Sequence, residues 1–212
     1  MTGKSDTTAS FDGVPAGGLW TFHRISTLIG VKIRDVFSGP ASCHYFAITV
    51  EGVLYAWGRN DRGQLGLGHT LNVYAPTIVP KLPPILSASA GRNHSLLVAL
   101  DGTVFAAGDN KMNQCGLLKT NDFSPTFQVV TIGEKKASQP LIAKSVGAGL
   151  EFSAAISKDG RLYTCGSKQF GQTGCGPTGE YIISAGKVGF GANEQFTPVS
   201  YTHLTLPTKR IV

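Results

Sequence analysis

At 212 residues with 42% apolar side chains, the chain is long enough for one large domain or two small ones, and its composition is that of a folded globular protein rather than a disordered one. Only 15% of residues are charged while 27 are glycine, a balance that favours turns and buried strands over solvated helices and points to an all-β architecture. The formal charge of +6 is spread from Lys4 to Arg210 without the basic run or face expected of a dedicated nucleic-acid binder.

The first segment, residues 1–16, is polar and lacks the apolar core of a secretory signal, so it reads as a flexible N-terminal stretch. No apolar run approaches the roughly 18 residues of a membrane-spanning helix, and no membrane partner is expected. Cys43, Cys115, Cys165 and Cys175 show no C-x-x-C pairing, which suggests neither a zinc site nor a disulfide framework. An intracellular protein of the nucleus or cytoplasm, with reduced thiols, is the expectation.

Residues 17–199 carry a repeat. Its first trace is Gly17 to Phe22, GGLWTF, which aligns with Gly52 to Trp57, GVLYAW, and reads as half a repeat unit. Three full copies follow: CHYFAITVEGVLYAWGRNDRGQLG from Cys43, NHSLLVALDGTVFAAGDNKMNQCG from Asn93 and EFSAAISKDGRLYTCGSKQFGQTG from Glu151. They align without a gap, and the repeats extend over about 36–68, 88–118 and 145–176. Each copy holds two β-rich runs around an acidic-Gly pair ending in Gly52, Gly102 or Gly160, a hairpin signal because glycine accepts positive φ. The second run ends in Gly58, Gly108 or Gly166, and a loop then closes on Gln-x-Gly at Gly66, Gly116 or Gly174.

Turn positions recur 50 and then 58 residues apart, the excess lying in connections such as Thr131 to Pro140. A β-hairpin repeat of roughly fifty residues fits a propeller blade, which buries its faces only by stacking on neighbours. The expected fold is therefore a partial β-propeller of three to three and a half blades. The last stretch, 200–212, YTHLTLPTKRIV from Tyr201, matches no repeat position and reads as an unrelated or artefactual tail. With so few blades, the chain is expected to be a fragment of a longer propeller.

The candidate chemistry is sparse. The glycine loop from Gly58 lacks the Lys-Ser or Lys-Thr of a phosphate-binding loop and precedes no helix, so no nucleotide or other cofactor is assigned to it. His44 and His94 share one repeat position whose third occupant is Phe152, which favours a packing role with one ring nitrogen bonded to a neighbouring blade's backbone over a metal site. No residues are assigned to catalysis or to metal binding. The cysteines read as blade filling. The loops after each second run, on a rigid scaffold, are where binding residues concentrate. They nominate Arg59, Asn60, Asp61, Arg62, Lys111 and Lys168 as a partner-contact rim, with Asn60 and Asp61 also suited to holding their own turn.

Trp57-Gly58, Gly63-Gln64-Leu65-Gly66 and Gly91-Arg92-Asn93-His94-Ser95-Leu96 together resemble the regulator of chromosome condensation repeat family. LWTFHRIS, AGRNHSLLV and NKMNQCGL are similar to its mitotic telophase-disc branch. The resemblance implies a seven-bladed β-propeller and recurrent roles in guanine-nucleotide exchange or regulation of a small GTPase of Rho, Ral or Ran type. It also implies association with chromatin, the spindle or microtubules, so a non-enzymatic scaffold is a second expectation. A truncated chain without function is a third. Asn113 and Cys115 depart from the pattern set by Gly63 and Leu65, and Phe152 departs from that set by His44.

Overall fold

A computed structural model describes residues 22–117, 121–132 and 138–174, with the backbone alone of 181–187. The chain divides into two compact units, Met1–Val31 and Lys32–Val212. In the first, the described residues hold a single 3-10 turn, Ser26–Leu28, closed by the Ile29 N–H on the Ser26 carbonyl at 3.2 Å. The half-repeat at Gly17 to Phe22 falls, but for Phe22, outside the described residues, as do the segment 1–16 and the tail 200–212.

The second unit is built of antiparallel meanders. Strands β1 (Ile33–Phe37), β2 (His44–Thr49), β3 (Leu54–Gly58) and β4 (Val73–Ile78) form one four-stranded sheet in chain order. β5 (Ile85–Ala90), β6 (His94–Ala99), β7 (Val104–Asp109) and β8 (Phe123–Val129) form the second. A small ribbon of β9 (Thr131–Ile132) and β10 (Gln139–Pro140) precedes the third, made of β11 (Ala143–Ala148), β12 (Phe152–Ser157), β13 (Leu162–Ser167) and β14 (Tyr181–Lys187). These are three blades of an all-β, partial propeller.

Each expected hairpin is the middle pair of its blade, with the register His44↔Gly58, His94↔Gly108 and Phe152↔Gly166. The connecting turn is a three-residue loop rather than a two-residue one. Thr49 N–H meets Val53 O at 3.0 Å, Ala99 N–H meets Thr103 O at 2.9 Å and Ser157 N–H meets Arg161 O at 2.9 Å. The acidic-Gly pair supplies the last two loop residues, and Gly52, Gly102 and Gly160 take the positive φ that closes such a loop. The strand-ending Gly58, Gly108 and Gly166 are constrained more severely. Their φ lies at 106, 103 and 108°, and a side chain on any of them would run into the backbone that begins the paired strand.

Burial follows blade position. All six residues of β6, HSLLVA, are buried because the middle blade has a neighbour on both faces. Leu97 and Ala99 enter one core with Phe46, Ile48 and Leu54 of the first blade, while Leu96 enters the other with Ala143 and Ala155 of the third. β12, FSAAIS, alternates instead between half-buried and buried, with Ser153, Ala155 and Ser157 inward. Period-2 alternation marks a sheet with one covered face.

Candidate partner-contact rim

The loops after β3, β7 and β13 all leave their sheets beside the start of the paired strand, the end opposite the hairpin turns. Each loop is tied internally by the same device. Gln64 Oε1 accepts the Arg62 N–H at 2.9 Å, Gln114 Oε1 accepts that of Met112 at 2.8 Å, and Gln172 Oε1 accepts that of Phe170 at 2.8 Å. Asn60, nominated as a contact residue, is instead fully buried. Its Oδ1 accepts the Leu65 N–H at 2.9 Å and its Nδ2 donates to the carbonyls of His69 and Leu71 at 2.9 and 3.0 Å, so its amide is spent holding the loop closed. Asn110 does the same for the second loop through Cys115 N–H at 3.1 Å and Leu117 O at 3.3 Å.

The remaining nominated side chains differ in availability. Arg59 is exposed but donates to Asp61 at 2.6 Å, both about half accessible. Burial would raise the Asp61 carboxyl, yet the hydrogen bond and charge of Arg59, aided by Gln64, hold it below the usual aspartate range. Arg59 and Asp61 therefore present a nearly neutral pair. Arg62 and Lys111 are exposed, whereas Lys168 occupies the Asn60 position and is only partly exposed. Along this end of the blades the described cations Arg59, Arg62, Arg92, Lys111 and Lys168 are interleaved with Asp61, Asp109, Asp122 and Glu151. Alternating signs do not make a phosphate-binding stripe.

The loops are also fastened sideways. Gly68 N–H donates to Pro125 O of the next blade at 2.8 Å, and Leu67 bridges Thr126. A side chain on Gly63 would overlap Pro125, and one on Gly66 the ring of Phe127. Gly63, Gly66 and Gly68 of GRNDRGQLGLG thus admit a neighbouring blade, where a phosphate loop would have exposed its amides to a ligand.

His44 and His94 lie fully buried at the seams. Each ring meets a serine hydroxyl of the next blade, and for His94 the backbone of Phe152 in that blade adds the backbone hydrogen bond expected from sequence. His44 Nε2 meets Ser95 Oγ at 2.7 Å, and Ser95 Oγ donates to Gln64 O at 2.8 Å. His94 Nε2 meets Ser153 Oγ at 2.9 Å, and Ser153 Oγ donates to Gln114 O at 2.6 Å. Because each serine hydrogen is committed to a carbonyl, each histidine must donate through Nε2–H, which leaves Nδ1 bare and without a hydrogen-bond partner. Burial lowers His44 from the ordinary histidine value to about 4. Burial first, and then the His44 charge, lowers His94 to about 3. Both rings are neutral at physiological pH. They are clasps, and their repeat position carried the signal; the serine after the histidine in the second copy, repeated at Ser153, was the part overlooked.

Among the described residues, the two buried thiols offer no nucleophile. Cys115 and Cys165 are buried at the second seam, and burial pushes Cys165 up to about 12 and Cys115 well above the thiol range, so neither supplies a thiolate. A cleft of about 60 Å³ beside Asn110, Phe123 and Ser124 is far below the roughly 300 Å³ of a small-molecule site.

Models of the regulator of chromosome condensation (RCC1) repeat match residues 51–98 and, in a second form, 33–64, 85–114 and 143–172. The chain is 41% identical over 173 residues to human Protein RCC2, covering 80% of this chain and 32% of that one. It is 40% identical over 168 residues to the X-linked retinitis pigmentosa GTPase regulator of Canis lupus familiaris, covering 75% and 16%. Among solved structures it is similar to Prp20p of Saccharomyces cerevisiae, described with its binding properties to Gsp1p and histones. That match has a TM-score of 0.64 and 25% identity, and covers 76% of this chain and 39% of that one. The chain thus spans about a third of the length of the RCC2 proteins it matches.

Proposed function

The chain belongs to the regulator of chromosome condensation (RCC1) repeat family, and from that premise we propose that it is a protein-interaction module whose partner is a small GTPase and which acts in that GTPase's nucleotide exchange or regulation. The observation that supports this reading is the loop end of the blades, where three loops are tied by their own glutamine side chains, two of them also by asparagine, while other residues project outward. The printed name of one relative, a GTPase regulator, agrees with it. A rigid surface of this kind acts on a GTPase by differential binding: it speeds nucleotide release only if it holds the nucleotide-free form more tightly than the loaded one. We place the protein in the nucleus or cytoplasm, with activity at the spindle or cytoskeleton as the specific role.

The test is nucleotide release from purified Ran, Rho and Ral type GTPases with and without the chain. Acceleration of one of them, lost when Arg62 is replaced by glutamate, is the expected result. Unchanged release together with no detectable binding to any of the three removes the GTPase from this account. The scaffold alternative, docking to chromatin or microtubules through basic residues, is supported by the histone binding described for Prp20p. It predicts affinity that falls steeply with salt, and the alternating charge at the loop end weighs against it.

A further inference from the structure

One loop position combines rigidity with side chains suited to binding. Arg62, Met112 and Phe170 are equivalent, each the residue before the Gly63, Asn113 or Gly171 corner, and each has its backbone N–H held by the glutamine two residues on. Fixing the backbone leaves the side chain as the only freedom to be lost on binding, which lowers the entropic cost of a contact. Arg62 is exposed and, among the described residues, enters no ion pair, since Arg59 has taken Asp61. Phe170, on the last described blade, is exposed, and Met112 is half-buried between them in blade order. Arginine, methionine and aromatic residues are the types enriched in protein interfaces, with arginine and aromatics leading among the side chains that carry binding energy.

Resting on the reading of the loop end as a protein-binding surface, we infer that Arg62, Met112 and Phe170 form its contact row and that it takes an acidic segment with apolar side chains. A carboxylate would pair with the Arg62 guanidinium, and aliphatic or aromatic side chains would cover Met112 and Phe170. Lys111, exposed beside Met112, adds a second cation to the middle loop. Asn60, Asn110, Gln64 and Gln114 are buried and belong to the support of this row, outside its contact surface.

The test uses the whole chain and short fluorescent synthetic peptides carrying a photo-crosslinker. One alternates Asp or Glu with Leu or Phe, one replaces the acids with Lys, and one replaces the apolar residues with Ser; a polyuridine RNA is the fourth probe. The acidic-apolar peptide is expected to bind and to crosslink to the loops at 59–62, 109–112 and 167–170. Arg62→Glu and Phe170→Ser should each weaken it by about tenfold with an unchanged melting temperature. Crosslinks in those loops with affinity unaffected by either variant would overturn the contact row while leaving the loop-end surface standing. Crosslinks at the hairpin turns would remove both. No binding of the acidic-apolar peptide, or preferential binding of the lysine peptide or of the RNA, would overturn the acidic partner.

Discussion

Asn113 sits where the first and third copies have Gly63 and Gly171, and its φ of 61° gives the reason that substitution is tolerated. Asparagine enters the left-handed region at less cost than other non-glycine residues, so the corner survives. Asn113→Gly should therefore leave stability within about 0.5 kcal/mol, whereas Asn113→Ala should lose about 1 kcal/mol. Gly66→Ala, which combines φ of 70° with an overlap on Phe127, should cost about 2 kcal/mol or more; urea unfolding of the three variants checks the order. The same scale governs acid sensitivity. A histidine whose folded value lies below its unfolded value contributes nothing to pH dependence above about pH 6.5, and destabilises as pH falls from there towards its folded value. For His44 and His94 that window runs from about 6.5 down to about 4 and about 3. Stability should then fall by about 2–3 kcal/mol per pH unit between about pH 6 and pH 5, above the carboxylate range. His44→Phe, the substitution already present at Phe152, should roughly halve that slope.

Blade seams are where the elements meet, and the His–Ser–Gln clasp is their repeated polar contact. Ser153→Ala would remove the serine partner of His94 Nε2–H and leave Gln114 O with only the weak Cys165 thiol donor at 3.5 Å, and should cost about 1–3 kcal/mol. In double-mutant cycles, His94→Phe with Ser153→Ala should show a coupling of about 1 kcal/mol, and His44→Phe with Ser153→Ala almost none, since those residues share no clasp. Much of this element level was legible before any coordinates. The hairpins announced themselves through alternation and recurring glycines, and the clasp through the histidine position. The outer strands did not. VYAPTI and FSPTFQV each contain a proline, Pro76 and Pro125, which breaks the strand pattern and is tolerated because the strand lies at a sheet edge. Of the two roles open to Asn60, rim contact and holding its own turn, the structure shows the second: its burial depends on the carbonyls of His69 and Leu71, nine and eleven residues onward. Arg62 was picked out by its charge, but Phe170 was passed over, although the loop alignment placed the two at one position.

Among the described blades, each core is shared by two successive sheets, each loop is fastened to itself, and the first two loops are also fastened to the next blade. The charge of +6 does not gather at the loop end, so binding there should weaken with ionic strength only to the modest extent set by Arg62 and Lys111. The central claim is that this end is a preorganised surface, with glycine, asparagine and glutamine acting as internal fasteners beneath it. Native-state hydrogen exchange of the Arg62, Met112 and Phe170 amides tests it most directly, because each of these loop N–H groups has a glutamine side chain as its acceptor. Protection of all three by about a hundredfold or more over free peptide, with Gln64→Ala releasing Arg62 alone, is the predicted result. Exchange of all three at free-peptide rates would contradict the account.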